Sequence, residues 1–524
     1  MSFLLAAFMM FQSAPPTGSI SGSVVLAGSQ SQSPLIMARV ELSGGPLLPQ
    51  VVRTDGQGRF AFAGLPPGSY RLRVTKDGFL RQEYSKRAAI VIKPDTPHKE
   101  VMFALEPAPT MGGHVMSEFG EPIANIQVQA LRAVYGPHGE RTFAPLASTL
   151  TDDRGDYRLY WLDAGDYIIS ASFVPPIKTP GNPNEPVPQA LYAPTYYPNA
   201  SDLANAQRIP LRAGDNFLAL DFRLVRVRAV TVRGSTSLRD TRRATSITVR
   251  LNLAGDAAGT AQYATKSNDL GSFEIKSVAP GSYIATAESM VGTERYAASV
   301  QVIVRDRDEN DVGLILSPGV QVPGRMTLDT GAAVDMSAAH VQLISTNPYL
   351  ESFESATVQA DGQFAVSRVQ PGSYAIEAAV MPKALYIKVQ RSGQTTLLGT
   401  PLAIAWESPP SLEIVLGTDG GRIDGAVADS AGKPFAGAQV VLVPNAERRA
   451  RPDQYRVTSS DEDGKFDLRG IPPGAYQLFA WENVEERAWL NSEFMGKYLD
   501  LGTAITIAAS AHAILQIPLI PEKQ

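Results

Sequence analysis

The sequence predicts an all-β protein built as a tandem array of five domain-sized β-sandwich units, and three observations predict it. A multi-point pattern recurs five times. Glycine (44) and proline (39) are abundant and punctuate short Val, Ile, Leu, Phe and Tyr runs, the composition of turn-rich β domains. Within those runs apolar residues alternate with polar ones, the period of a half-buried strand, and no long amphipathic helix competes.

The pattern is clearest at Asp461-Glu-Asp-Gly-Lys-Phe-Asp-Leu-Arg-Gly-Ile-Pro-Pro-Gly-Ala-Tyr476. Gly464 lets the chain enter a strand from an acidic turn, because φ > 0 costs glycine nothing. Phe466 and Leu468 share a strand face. Pro472-Pro473-Gly474 predicts a tight reversal with glycine at a left-handed corner, so that the two flanking strands form a hairpin. Tyr476, Leu478 and Ala480 then return along the core face.

Aligned on the aromatic after the glycine, the copies are Phe60, Tyr157, Phe273, Phe364 and Phe466, each followed ten residues later by Tyr70, Tyr167, Tyr283, Tyr374 and Tyr476. The spacing between tyrosines, roughly 100 residues, is that of a domain and not of a solenoid rung. These tyrosines are expected to be structural, with the hydroxyl tied to loop backbone at a sandwich corner. The aspartate three residues before the glycine (Asp55, Asp152, Asp461) becomes Asn268 and Gln359 in the third and fourth copies, so the scaffold is kept where the acid is not.

In chain order, residues 1–17 carry an apolar run from Phe3 to Phe11 and then small residues, which reads as a secretory signal; an N-terminus that packs or stays unstructured is the alternative. The expected repeats span 18–106, 107–226, 227–317, 318–418 and 419–524. Repeat two holds a proline-rich insertion from Val174 to about Arg208 with Tyr192, Tyr196 and Tyr197, the least generic loop in the chain. Repeat five continues after Ala480 with Trp-Glu-Asn-Val-Glu-Glu-Arg-Ala-Trp-Leu490, a loop or short helix. No apolar run approaches the ~20 residues of a membrane span.

The segment Gly421-x-Ile-x-Gly-x-Val427, followed by Asp429-x-x-Gly-x-Pro-x-x-Gly-Ala-x-Val-x-Leu442 and the stretch through Leu478, resembles the carboxypeptidase regulatory-like domain. That family is grouped with transthyretin-like and collagen-adhesin B-type sandwiches. The resemblance implies a prealbumin-like Greek-key sandwich of seven strands in each repeat. It does not imply peptidase activity, since a zinc carboxypeptidase needs a separate catalytic domain with two histidines and a glutamate. His98, His114, His138, His340 and His512 are scattered, and none is followed three residues on by glutamate.

Other chemistries are equally unsupported. A formal charge of −5 with mixed signs gives no nucleic-acid footprint. No Gly-x-Ser-x-Gly elbow is present, and Gly56-Gln-Gly58 leads into a strand and not a helix. With no cysteine, thiolate metal sites and nucleophiles are excluded. Asp152-Asp153 and Asp461-Glu-Asp463 sit in turns, where aspartate bonding its own backbone competes with a calcium site short of oxygens. No catalytic residue, metal or cofactor is therefore expected.

The remaining candidates are aromatic. Trp161, Tyr192, Tyr196 and Tyr197 in repeat two, with Trp481 and Trp489 in repeat five, could stack on sugar faces from exposed loops. The alternative is that these rings cover sandwich edges or pack domains together. The expected function is a non-enzymatic exported binding or structural module. Its partner would be a carbohydrate or an envelope protein, with a spacer or protein-interaction scaffold as the second reading.

Overall fold

The computed structural model describes residues 17–29, 32–84, 89–95, 97–173, 191–239, 246–254, 263–346, 353–379, 384–407 and 409–521. The expected signal segment falls outside them up to residue 16, as does the part of the repeat-two insertion over 174–190.

Repeat five shows the plan. Its strands are Gly421–Ala428, Gln439–Pro444, Arg456–Ser459, Lys465–Ile471, Gly474–Trp481, Thr503–Ile507 and His512–Pro518. The first strand lies between the fourth and seventh in one sheet, and the facing sheet runs third, second, fifth, sixth. First and seventh strands are parallel, while the first and fourth are antiparallel. Repeats one and three repeat this order. Repeat two follows it too, with Thr195–Tyr196 added beside the fifth strand, and repeat four adds Tyr386–Ser392 beside the last strand. The chain is thus a tandem array of five Greek-key sandwiches.

Each sandwich closes on its own core, filled by the alternating residues of both sheets. In repeat one the fifth strand, Gly68–Thr75, buries Tyr70, Leu72 and Val74 and exposes Ser69, Arg71 and Arg73. A glycine in the first strand makes room for the aromatic opposite. A Cβ on Gly425 would come within 2.4 Å of the Phe466 ring, and on Gly324 within 2.2 Å of Phe364.

Two expectations about the recurring stretch are corrected. The strands flanking Pro472-Pro473 do not pair as a hairpin, because Lys465–Ile471 belongs to one sheet and Gly474–Trp481 to the other. The proline pair carries the chain across the sandwich. Nor is Gly474 the left-handed corner; it is nearly extended, and the left-handed residue is Gly470. There the fourth strand bulges, with Arg469 and Gly470 opposing the single residue Arg422, and a bulge of this kind takes a residue with φ > 0. The other repeats place Gly64, Trp161, Ser277 and Arg368 at this position, all with φ between 60° and 72°.

The tyrosine closes the crossover. Each hydroxyl donates to the carbonyl four residues earlier, Pro66, Asp163, Ala279, Gln370 and Pro472, at 2.7–2.9 Å. The acidic turns also do structural work. Asp55 accepts from the amides of Gln57 and Arg59, and Asp461 from those of Asp463 and Lys465. Backbone donation of this kind holds the Asp55 carboxyl below its ordinary value. Among the described residues no group of three His, Asp or Glu could hold a metal, and no helix is long and apolar enough to cross a membrane.

Candidate functional site

In repeat five the second sheet is buried on both faces. Val440, Leu442, Leu478 and Ala480 face the sandwich core, while Val441, Val443, Phe479 and Trp481 point outward into a second apolar cluster. That cluster is roofed by the segment after the fifth strand, a 3-10 turn at Ala488–Leu490 and the short helix Ser492–Gly496. Asn491 caps the helix by accepting from the Phe494 amide. Phe479 and Trp481 stack at 5.1 Å, and Tyr498 meets the Trp481 ring edge-on at 5.7 Å. Trp481 is 1% exposed and Trp489 7%.

The roof is shared with repeat two. The long second and third strands there, Ile126–Tyr135 and Arg141–Leu150, bring the turn between them against the repeat-five segment. Tyr135 packs edge-to-face on Phe494 at 6.1 Å. Asn491 Nδ2 donates to the Gly139 carbonyl at 2.8 Å, and Arg132 pairs with Glu485 at 3.2 Å. Gly139, at φ 76°, lies so close to Leu490 that a Cβ would sit 2.4 Å from its carbonyl carbon. Burial alone would lower Arg132, but Glu485 and Tyr167 outweigh it and hold the guanidinium above its ordinary value.

Repeats four and one also reach repeat five. The Tyr386 hydroxyl donates to Asp419 at 2.8 Å, Arg487 approaches Glu377 at 3.9 Å, and the Val91 amide donates to Glu462 at 2.7 Å. Between repeats two, four and five lies a cleft of about 560 Å³, bounded by His138, Glu377, Asp453, Arg456 and Trp489 among others. Arg456 is not free to act there. It is spent on the carbonyls of Asp453, Tyr455 and Gly470, and burial pushes its pKa down.

The sequence candidates therefore divide. Trp481 and Trp489 meet in the repeat-five cluster, where Trp481 is sealed off and Trp489 shows only 7% of its surface beside the cleft. Tyr192 is 7% exposed and belongs to the repeat-two core, and Tyr197 packs against the same core edge-to-face on Phe222 at 6.0 Å. Tyr196 is half-buried and its strand pairs with Ser170. Among these candidates Trp161 alone is exposed, at 61%, and it lies between repeats one and two, away from the others. Sequence reasoning missed Tyr135, Arg132 and Gly139 as docking residues. It also missed the outward apolar positions of repeat five, although Val440-Val441-Leu442-Val443 breaks the alternation and announces a strand buried on both faces.

Residues 19–106 and 422–487 match the family described as the carboxypeptidase regulatory-like domain. No curated protein matches the chain. Among solved structures, the TIE protein of Bacillus anthracis is 10% identical over 79% of this chain and 74% of its own, with a TM-score of 0.16. Two B repeat units of the collagen binding protein of Staphylococcus aureus are 11% identical over 77% and 100%, at 0.14. The major pilin subunit of Bacillus cereus is 9% identical over 57% and 99%, also at 0.14.

Proposed function

We propose that this chain, whose first and last repeats match the carboxypeptidase regulatory-like domain, is a non-enzymatic exported scaffold in which aromatic insertions lock repeats to one another. The observation that carries this reading is the Tyr135 contact with the roof over Trp481 and Trp489, which joins repeats far apart in sequence. Rings that close a core and a joint serve rigidity. Carbohydrate binding through Tyr192, Trp481 and Trp489 lacks support for the same reason, since a stacking platform must face solvent.

Export rests on the apolar run from Phe3 to Phe11 and the small residues after it. The non-enzymatic part of the reading rests on the scatter of the titratable groups: the two His–Asp pairs, His114 with Asp156 and His512 with Asp424, stand in different repeats with exposed imidazoles, and among the described residues no group of three His, Asp or Glu could hold a metal. A scaffold with this joint is shorter than the sum of its repeats. Small-angle scattering of the intact chain tests it. A compact particle that lengthens with Tyr135→Asp supports the scaffold, and an extended string unchanged by that substitution overturns it.

A further inference from the structure

The second sheet of repeat one presents a basic outer face. Arg39, on the strand Arg39–Gly44, stands directly opposite Arg53 on Gln50–Arg53 in the antiparallel register. Like charges placed opposite each other destabilise a sheet. One carboxylate, Glu41, approaches Arg39 at 3.5 Å, and no ion pair is formed by Arg53, Lys76 or Arg81 among the described residues. Lys76 is held in place by donating to the Ile36 carbonyl at 2.9 Å. In a chain of net charge −5 this concentration of cations is local and not compositional.

These four cations, with the single carboxylate Asp77 among them, line one side of a groove of about 690 Å³, and Trp161 and Asp163 of repeat two belong to the other. Trp161 occupies the corresponding left-handed position at φ 62°, two residues past its strand, where repeats one and five have Gly64 and Gly470. A bulky residue there is strained by roughly 1–3 kcal/mol, and its ring stays 61% exposed. Repeats three and four place the polar Ser277 and Arg368 there, whereas repeat two holds a flat apolar face across from the guanidinium and ammonium groups.

We infer that this groove between repeats one and two binds an acidic polysaccharide, a chain of carboxylated sugars. Arginine forks match carboxylates bidentately, and an indole face takes the C–H surface of a pyranose ring. The lining favours a sugar chain over a peptide. Arg39 and Arg53 project from the outer face of the sheet, Arg53 from its edge strand, and Lys76 and Arg81 follow the repeat's fifth strand, so a ligand there meets side-chain charge beside a flat exposed ring, the pairing that suits a carboxylated sugar. The site is separate from the joint between repeats two and five, and it stands or falls independently of the scaffold reading.

The test is calorimetric titration of the intact chain with oligogalacturonate, with a neutral oligosaccharide and poly-glutamate as comparison arms. The expected result is binding of the uronate that weakens with salt and falls at least about tenfold, some 1.4 kcal/mol, in Arg53→Gln and in Trp161→Gly. Trp161→Gly is the informative variant, because glycine adopts this positive φ without strain and the melting temperature stays level or rises while binding is lost. The inference is overturned by no binding of uronate or by equal binding of the neutral sugar. Poly-glutamate binding that survives Trp161→Gly also overturns it, assigning the groove to acidic peptides.

Discussion

Repeats one and five have the same strand order, the same tyrosine corner and the same left-handed bulge, yet the outer face of the second sheet differs completely between them. Where repeat one sets Glu41, Ser43, Arg73 and Thr75, repeat five sets Val441, Val443, Phe479 and Trp481, the residues being paired by their positions relative to Val40, Leu42, Leu72 and Val74 on one side and Val440, Leu442, Leu478 and Ala480 on the other. The inner face makes the sandwich, and it is constrained to be the same each time. The outer face is free, so it is where a repeat acquires its role: a solvated basic surface in one, an aromatic seat for an insertion in the other.

The strongest way to break this comparison is to truncate matched outer positions. Trp481→Ala is expected to cost about 3–5 kcal/mol, the range for a large buried aromatic, and to loosen the repeat-two contact. Thr75→Ala, at the corresponding place in repeat one, is expected to change stability by less than about 0.5 kcal/mol. Denaturant melts that show equal losses would contradict the division between faces.

Shared features should respond alike. Tyr70→Phe and Tyr476→Phe each remove one hydrogen bond to the crossover backbone and are expected to cost about 1 kcal/mol in either repeat. A corner that mattered in one repeat alone would separate the two values. The same corners set an alkaline limit. Burial raises Tyr70, Tyr167, Tyr283 and Tyr476 above the ordinary phenol value, so their contribution is intact below about pH 10, the unfolded value, and is lost as pH climbs toward the folded ones. Circular dichroism against pH should show unfolding that starts on that side of neutrality and weakens in Tyr→Phe variants.

The smallest effect concerns the acidic turn. Asp55 is depressed in the folded state by the Arg59 and Gln57 amides, so its contribution is present above the unfolded carboxyl value and disappears as pH falls through the folded one. An NMR titration should find Asp55 below the usual aspartate range, and Asp55→Asn, which keeps an acceptor oxygen, should barely alter stability.

Much of the fold was legible because it repeats. Five copies of the glycine, aromatic and tyrosine spacing identify which residues face the core, and the corner hydroxyls and aspartate turns follow from local chemistry. Strand partners were not legible. Alternation says which face a residue takes but not which strand lies beside it, so Phe466 and Tyr476 read as one hairpin although their strands lie in opposite sheets. The site was half legible for a related reason. Trp481 and Trp489 stand out in the sequence, but their burial depends on the roof that Phe494 and Tyr498 build and on Tyr135 arriving from another repeat. The alternating Arg-Leu-Arg-Val74 is visible as an exposed strand face, yet the groove exists because Trp161 stands across a repeat boundary.

The joint between repeats two and five is the centre of the account, and the Arg132 to Glu485 pair, 3.2 Å apart, gives direct access to it. In Arg132→Lys, zero-length carbodiimide coupling is expected to join positions 132 and 485 by an amide within one chain, identified by mass spectrometry of the digested monomer band. Absence of that peptide pair from the monomer, with the chain folded and other close Lys–carboxylate pairs coupled, would contradict the folded-back array.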